Sequence, residues 1–130
     1  MFVLLMSLLK PPTRRNFNAI FVGGAMGAYV SGGLGLWELA FAAAGSLVAF
    51  RGLRDVRLIG VAWLMHSAWD LVHHFFANPI WPFMEMSSFG CSICDAVISA
   101  WFFVGAPSLV QLLRIRGRAP EAVVSKSGQP

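Results

Sequence analysis

Long apolar stretches, separated by short polar or glycine- and proline-bearing segments, run through most of the chain. Glycine-rich sequence at 31–35, a basic segment at 51–57 and the Ala77-Asn78-Pro79 sequence each interrupt the apolar pattern, as helix-breaking residues do. The pattern therefore predicts four helices, over residues 16–30, 36–50, 58–76 and 92–113, with Pro107 kinking the last one. Residues 1–9 are also apolar, but a membrane span needs about 20 residues, so we expect only a partial helix there.

The composition indicates that these helices form a membrane protein. The 130 residues are 57% hydrophobic and 12% charged, whereas soluble domains carry about 25% charged residues. We therefore expect residues 1–118 to form one all-α, polytopic transmembrane helix bundle with membrane lipid as its partner. Residues 119–130 are small and polar, which predicts a disordered tail.

The distribution of positive charge predicts the topology. The formal net charge is +4, and all ten lysines and arginines fall in four clusters between apolar stretches: Lys10, Arg14 and Arg15; Arg51, Arg54 and Arg57; Arg114, Arg116 and Arg118; and Lys126. Four helices place every cluster on the same side, which the positive-inside rule assigns to the cytoplasm. No basic stripe with interleaved aromatic residues is present, so nucleic-acid binding is excluded. The sequence thus predicts a multi-pass protein of the cell membrane with cytoplasmic basic loops and tail.

Ionisable residues collect at the opposite end of the predicted bundle. At about 100° per residue, the histidines and the aspartate of the third helix share an arc of about 100°. Ionisable groups at membrane depth indicate a functional site. We expect an outward-facing pocket that binds or transforms a small or lipidic ligand. Its candidate catalytic residues are Glu38, His66, Asp70, His73, His74 and Asp95.

Several chemistries fit this set of residues. Imidazole and carboxylate groups at i, i+4 and i+7 can bind a divalent metal, with His66, Asp70, His73 and His74 as the candidate ligands. Haem, a proton relay and a lipid headgroup site are further alternatives. The protein could also be non-catalytic, packing with itself or a partner, with the polar residues only linking helices. The sequence therefore leaves enzymatic activity open.

Two other patterns predict features outside this pocket. Cys91 and Cys94 form a C-x-x-C pair at a helix end, where the helix dipole favours a thiolate; redox, structural and metal-linked roles are all open. Small residues at four-residue spacing let helices approach closely, which predicts a packing face and a homo-oligomer through Gly23, Gly27, Ser31 and Gly35. On this basis Gly27→Leu should be more damaging than Gly33→Leu.

Several sequence blocks resemble a family of small bacterial and fungal integral membrane proteins known only as a domain of unknown function. The resemblance covers roughly residues 2–107 and implies neither a reaction nor a ligand. In similar proteins an apolar stretch commonly precedes the segment matching residues 1–9, which implies a fifth span and a truncated start here. The matching blocks are residues 14–20, 35–41, 66–74, 78–80 and 87–95.

Overall fold

The computed structural model describes residues 1–108 and 111, and over these residues the protein is all-helical. Its five helices confirm the predicted fold class at that level: α1 (Phe2–Ser7), α2 (Pro11–Ala25), α3 (Leu36–Arg51), α4 (Val56–Phe76) and α5 (Ser87–Phe103). Helices α3 and α4 agree with the predicted bounds to within two residues. The end of the predicted fourth helix and the predicted disordered tail lie outside the described residues.

Helix α2 lies five residues earlier than the sequence pattern predicts. It begins with Pro11 and Pro12 in its first turn, where a missing N–H costs no helical hydrogen bond and the fixed φ of proline suits a helix. It ends at Ala25, and turns follow up to a positive-φ glycine at Gly33. The prediction was wrong because it treated the two prolines only as helix breakers.

Helix α5 also differs from its prediction. It starts at Ser87 and ends at Phe103, so Pro107 follows the helix and does not kink it. Gly105 and Ala106 both have positive φ, of 86° and 47°. A proline disfavours the helical conformation of the residue before it, which explains why the helix cannot continue through Ala106.

Helix α4 lies at the centre of the bundle. It packs against α2 and α3 and, most extensively, against α5. Helices α4 and α5 approach closely at Gly60, where a Cβ atom would lie 3.2 Å from the Ser99 carbonyl oxygen. Ser99 Oγ donates a hydrogen bond of 2.8 Å to the Gly60 carbonyl, and Ser67 Oγ donates one of 2.8 Å to the Ser92 carbonyl. Small side chains and serine hydroxyls thus hold the two helices together.

Contacts at the two ends show how the helices alternate in direction. Arg14 of α2, Val56 of α4 and Ala106 after α5 line one cavity, so the start of α2, the start of α4 and the end of α5 meet there. At the other end, the Asn78 amide donates to the Gly32 carbonyl at 3.0 Å. The basic residues at 10–15 and 51–57 therefore belong to the same end of the bundle, as the charge pattern predicts.

The predicted stripe of small residues does not form a helical face. Because α2 ends at Ala25, Gly27, Ser31 and Gly35 all lie in the connection to α3. Only Gly23 faces another helix, with a Cβ position 3.6 Å from Ala49 Cβ. The helical spacing on which the stripe depended is broken by the turns after Ala25, and self-association through these residues stays a prediction.

Polar side chains fill much of the interior of the described bundle. Among its buried residues, polar and charged side chains are as numerous as hydrophobic ones. No helix within the described residues combines the length and the apolar character that crossing a membrane requires. The polar and charged residues buried between the helices are Ser7, Arg14, Asn18, Glu38, His66, Ser67, Asp70, His73, Ser87, Ser88, Ser92, Asp95 and Ser99.

Candidate functional site

A histidine and two carboxylates meet between α4 and α5. His66 Nε2 lies 3.7 Å from Asp70 Oδ1 and 3.8 Å from Asp95 Oδ2. All three residues are buried, and one potential ligand atom from each lies within 4.8 Å of the other two. We call these three residues the His–Asp cluster. Within the described part of the chain, it is the one group of three or more His, Cys, Asp or Glu residues that could hold a metal ion.

Local helical geometry explains why these side chains converge. His66 and Asp70 are four residues apart on α4, so their side chains lie one above the other on the same face. Asp95 reaches them from α5, on a face that carries Ser92 and Ser99 at helical spacing. Since these serines allow α5 to approach α4 closely, Asp95 is brought next to the imidazole.

A tyrosine and a serine position the Asp70 carboxylate. Tyr29 donates a hydrogen bond of 2.7 Å to Asp70 Oδ1, and its hydroxyl lies 2.9 Å from the Ser88 hydroxyl. Ser88 Oγ also accepts a hydrogen bond from the Ile80 amide at 3.0 Å. One hydroxyl has one proton, so Ser88 donates to Tyr29 while Tyr29 donates to Asp70. The result is a buried polar chain from the loop after α4 to the His–Asp cluster.

Two buried atoms of the cluster have no hydrogen-bond partner among the described residues. They are His66 Nδ1 and Asp70 Oδ2. The His66–carboxylate distances exceed the range of a hydrogen bond, about 2.7–3.2 Å for an N–H donor. Two buried carboxylates this close cannot both stay charged without compensation, so the pair either shares a proton or binds a cation. The imidazole is therefore not hydrogen-bonded to either carboxylate, and the carboxylate pair needs a proton or a cation.

A single divalent ion would compensate the carboxylates and link them to the imidazole. Ligands bound at about 2.1 Å in tetrahedral geometry lie about 3.4 Å apart, so the observed 3.7 and 3.8 Å would need to contract by only a few tenths of an ångström. One imidazole with two carboxylates is a ligand set of the zinc type. Haem fits less well, because its iron takes one or two axial side chains, whereas three side chains converge here.

His73 and His74, both predicted as metal ligands, lie outside the His–Asp cluster. His73 stacks on the Tyr29 ring at 3.9 Å between centroids, and its Nδ1 lies 3.2 Å from the Asn78 carbonyl oxygen. His74 is half-buried and contacts Phe89, with ring centroids 5.3 Å apart. Of the four predicted ligands, the structure thus brings together His66 and Asp70, because a shared arc of about 100° is wide enough to point residues at different neighbours.

Glu38 is buried but lies outside the His–Asp cluster. Its two carboxylate oxygens accept hydrogen bonds from the amides of Leu34 at 2.7 Å and Gly32 at 3.1 Å. The side chain thus satisfies backbone donors just before its own helix, as the glutamate of a capping box does. Both oxygens are used in this way, and Glu38 holds the connection between α2 and α3.

The predicted thiol pair consists of two free cysteines. Cys91 is half-buried and Cys94 is exposed on α5. Cys91 precedes Asp95 by one turn, whereas Cys94 points away from the interior. A redox or metal-linked role for the pair stays a prediction.

The predicted common ligand pocket is not formed by the six candidate residues. Two cavities of the described structure lie beside the cluster's neighbours: one of about 420 Å³ is lined by Tyr29, Gly32 and Asn78, and one of about 300 Å³ by His73, His74 and Glu85. The His–Asp cluster is enclosed behind Tyr29. An ion or a proton can therefore be held there, but a bulky ligand would have to bind in the neighbouring cavities.

The sequence pattern did not identify Tyr29 and Ser88 as site residues. Tyr29 hydrogen-bonds to Asp70 of the His–Asp cluster, and Ser88 hydrogen-bonds to Tyr29. For Ser88 the sequence holds a usable signal. Ser88, Ser92, Asp95 and Ser99 follow a 4-3-4 spacing, which is typical of a helix-packing face. Tyr29 is the single tyrosine of the chain, but it lies in a turn after α2, where no periodicity predicts its direction.

These features define the protein as an all-α bundle with a histidine–carboxylate cluster enclosed between two helices. The family model described as "Family of unknown function (DUF6010)" matches residues 1–108, which is most of the chain. The protein belongs to this family. This agrees with the resemblance to a domain of unknown function, whereas the bacterial, fungal and membrane character stays a prediction. No curated protein and no solved structure matches the chain.

Proposed function

We propose that this protein is a membrane-embedded helix bundle that binds a divalent transition-metal ion of the zinc type at the His–Asp cluster. The observation that carries the proposal is the position of His66 Nε2, 3.7 and 3.8 Å from carboxylate oxygens of Asp70 and Asp95. The ion would compensate the two carboxylates and occupy the gap between them and the imidazole, which lies beyond hydrogen-bond distance of both.

The chain's own residues would then divide the work. His66, Asp70 and Asp95 are the ligands, and Tyr29 holds Asp70 in place through its 2.7 Å hydrogen bond. Hydrogen bonds to a ligand fix its orientation and raise metal affinity. A divalent ion with three protein ligands keeps one position free and acts there as a Lewis acid. Tyr29 also lines the 420 Å³ cavity, so it joins that cavity to the ligand Asp70.

The surface of the bundle supports the membrane location. Large apolar side chains point outward from every helix, while charged and hydroxyl side chains are buried; this is the reverse of the usual pattern of water-soluble domains. The described basic residues all belong to one end of the bundle, which we assign to the cytoplasm. Examples of the exposed apolar residues are Leu5, Ile20, Leu47, Leu64 and Val97.

A second candidate function is proton transfer without a metal. It is favoured by the polar chain from Ser88 through Tyr29 to Asp70, with His66 beyond it. Hydroxyl, carboxylate and imidazole groups in sequence can pass protons. A purely structural polar network is the remaining reading of the same contacts.

Metal analysis of the purified full-length protein tests the main proposal. We expect about one transition-metal ion per chain in the wild type, and loss of that ion in His66→Ala and in Asp95→Asn. His74→Ala is the matched control, because it removes an imidazole from the same helix outside the cluster, and it should keep the metal.

Equal metal content in His66→Ala and His74→Ala would contradict the metal site. Metal-free wild-type protein that stays folded would favour the proton-transfer or structural reading. These two differ in Asp70→Asn, which keeps shape and hydrogen bonding but removes the charge. Proton transfer would be abolished by this change, whereas a structural network would retain most of its stability.

Membrane fractionation tests the location separately. We expect the protein to sediment with membranes and to resist an alkaline carbonate wash. Its release into the wash would contradict the membrane assignment without affecting the metal site.

A further inference from the structure

A second polar feature lies at the basic end of the bundle, opposite to the His–Asp cluster. A cavity of about 250 Å³ separates the start of α2 from the start of α4 and the end of α5. Two arginines, Arg14 and Arg15, line it together with Pro11, Val56, Phe102 and Ala106. The cavity therefore presents positive charge inside a mostly apolar wall.

Arg14 is buried without a negative partner. Its side chain is 4% exposed, and no carboxylate of the described residues lies within salt-bridge distance of it. Its contacts are a long hydrogen bond of 3.5 Å to the Leu9 carbonyl oxygen and the Trp101 ring, whose centroid lies 5.5 Å from the guanidinium carbon. An arginine stays protonated in proteins, and a buried charge normally has a paired counter-charge.

Arg15 adds an independent sign of an absent partner. Its Nε atom is buried and has no hydrogen-bond partner among the described residues. Buried donors in native structures are satisfied with few exceptions. Two adjacent guanidinium groups thus line one cavity. Among the described residues, Arg14 lacks a counter-charge and Arg15 lacks a hydrogen-bond acceptor. A ligand with negative charge and oxygen acceptors would satisfy both.

We infer that this cavity binds a phosphate group, with Arg14 and Arg15 as its ligands. Guanidinium groups match phosphate oxygens through paired, charge-assisted hydrogen bonds. Within a membrane protein, the phosphate would be that of an anionic lipid headgroup at the cytoplasmic surface; free phosphate offers the same chemistry. The apolar wall formed by Val56, Phe102 and Ala106 suits the part of a lipid next to its headgroup.

The test measures the thermal stability of the purified full-length protein in a mild detergent with three additives. The additives are phosphatidylglycerol, phosphatidylcholine and inorganic phosphate at matched concentrations. We expect a saturable rise in Tm with phosphatidylglycerol and little change with phosphatidylcholine. A full response to inorganic phosphate alone would support the same site with free phosphate as its ligand.

Matched arginine variants separate this site from general attraction to a basic surface. Arg14→Gln should weaken the apparent affinity for the anionic additive by about tenfold or more, whereas Arg54→Gln, which removes the same charge from an exposed position, should not. Arg15→Gln provides the same comparison if Arg14→Gln does not fold. Equal responses of the Arg15→Gln and Arg54→Gln proteins, or no response of the wild type to either anion, would overturn the inference.

Discussion

The hydroxyl of Tyr29 is expected to contribute both to the stability of the bundle and to its metal affinity. In Tyr29→Phe, Asp70 Oδ1 loses the hydrogen-bond donor that lies 2.7 Å away, while Asp70 Oδ2 already has no partner among the described residues. The aromatic ring and its stacking on His73 remain. The change therefore isolates the hydroxyl group.

The expected magnitude follows from the kind of hydrogen bond that is lost. A hydrogen bond to a charged group contributes about 1.5–3 kcal/mol to stability. A domain of this size loses about 4 °C in Tm for each kcal/mol, so Tyr29→Phe should melt roughly 6–12 °C below the wild type. Since the hydroxyl orients a proposed metal ligand, metal affinity should also fall, by about 10–100-fold.

Thermal unfolding of the detergent-solubilised protein and metal titration provide the two readouts. Ser46→Ala is a suitable control, because Ser46 Oγ makes only a long, exposed hydrogen bond of 3.4 Å to the Gly23 carbonyl. In a double-mutant cycle, Tyr29→Phe and Asp70→Asn should be less than additive, because the two residues share one contact. A Tyr29→Phe protein as stable as Ser46→Ala, and additive with Asp70→Asn, would refute the proposed coupling.

Three further changes test the fold. Gly33→Ala should lower the free energy of unfolding by about 1–3 kcal/mol, because Gly33 has φ +110° and lies next to Asn78. Gly27→Ala should cost less, because a Cβ there meets only the Gly24 carbonyl oxygen at 3.6 Å; unfolding measurements that rank the two in the opposite order would support the predicted stripe of small residues. Gly60→Leu should lower Tm more than either, since its Cβ position already lies 3.2–3.4 Å from α5; a Tm equal to that of Gly27→Ala would contradict the close α4–α5 contact. In a cysteine-free background, an impermeant thiol reagent on intact cells should label Glu85→Cys and not Arg54→Cys; the opposite labelling would invert the proposed topology.

The sequence predicts the helices well where apolar pattern and helix signals agree. For α3 and α4, a mostly apolar run ends at clear basic or Asn-Pro boundaries, so the predicted and observed bounds nearly coincide. For α2 and α5 the predicted bounds are displaced by several residues. A proline in the first turn of a helix, as in α2, and a proline beyond a helix end, as after α5, cannot be told apart from the sequence pattern alone. Backbone conformations such as the positive φ of Ala106 arise from the surrounding chain and leave no periodic signal.

Only part of the candidate site could be predicted from the sequence. Helical spacing places His66 and Asp70 on one face, and this pair is found together. The partner from α5 depends on the rotation and depth of a second helix, which the spacing of α4 residues cannot supply. Glu38 shows the limit most clearly: its buried position fits the expectation of an inward-facing carboxylate, but both oxygens bind the preceding turn.

Ionisable side chains are buried at both ends of the bundle, and atoms of both sets lack a partner among the described residues. Arg14 meets α4 near Val56, and the His–Asp cluster begins at His66, about 15 Å further along the helix. At that separation one ion cannot contact both groups, so each proposed site would bind its own. A ligand that binds only the folded state, present at about 100 times its Kd, adds about 2.7 kcal/mol of stability. Because sites this far apart act independently, chelation of the metal and removal of the anion should lower stability by additive amounts.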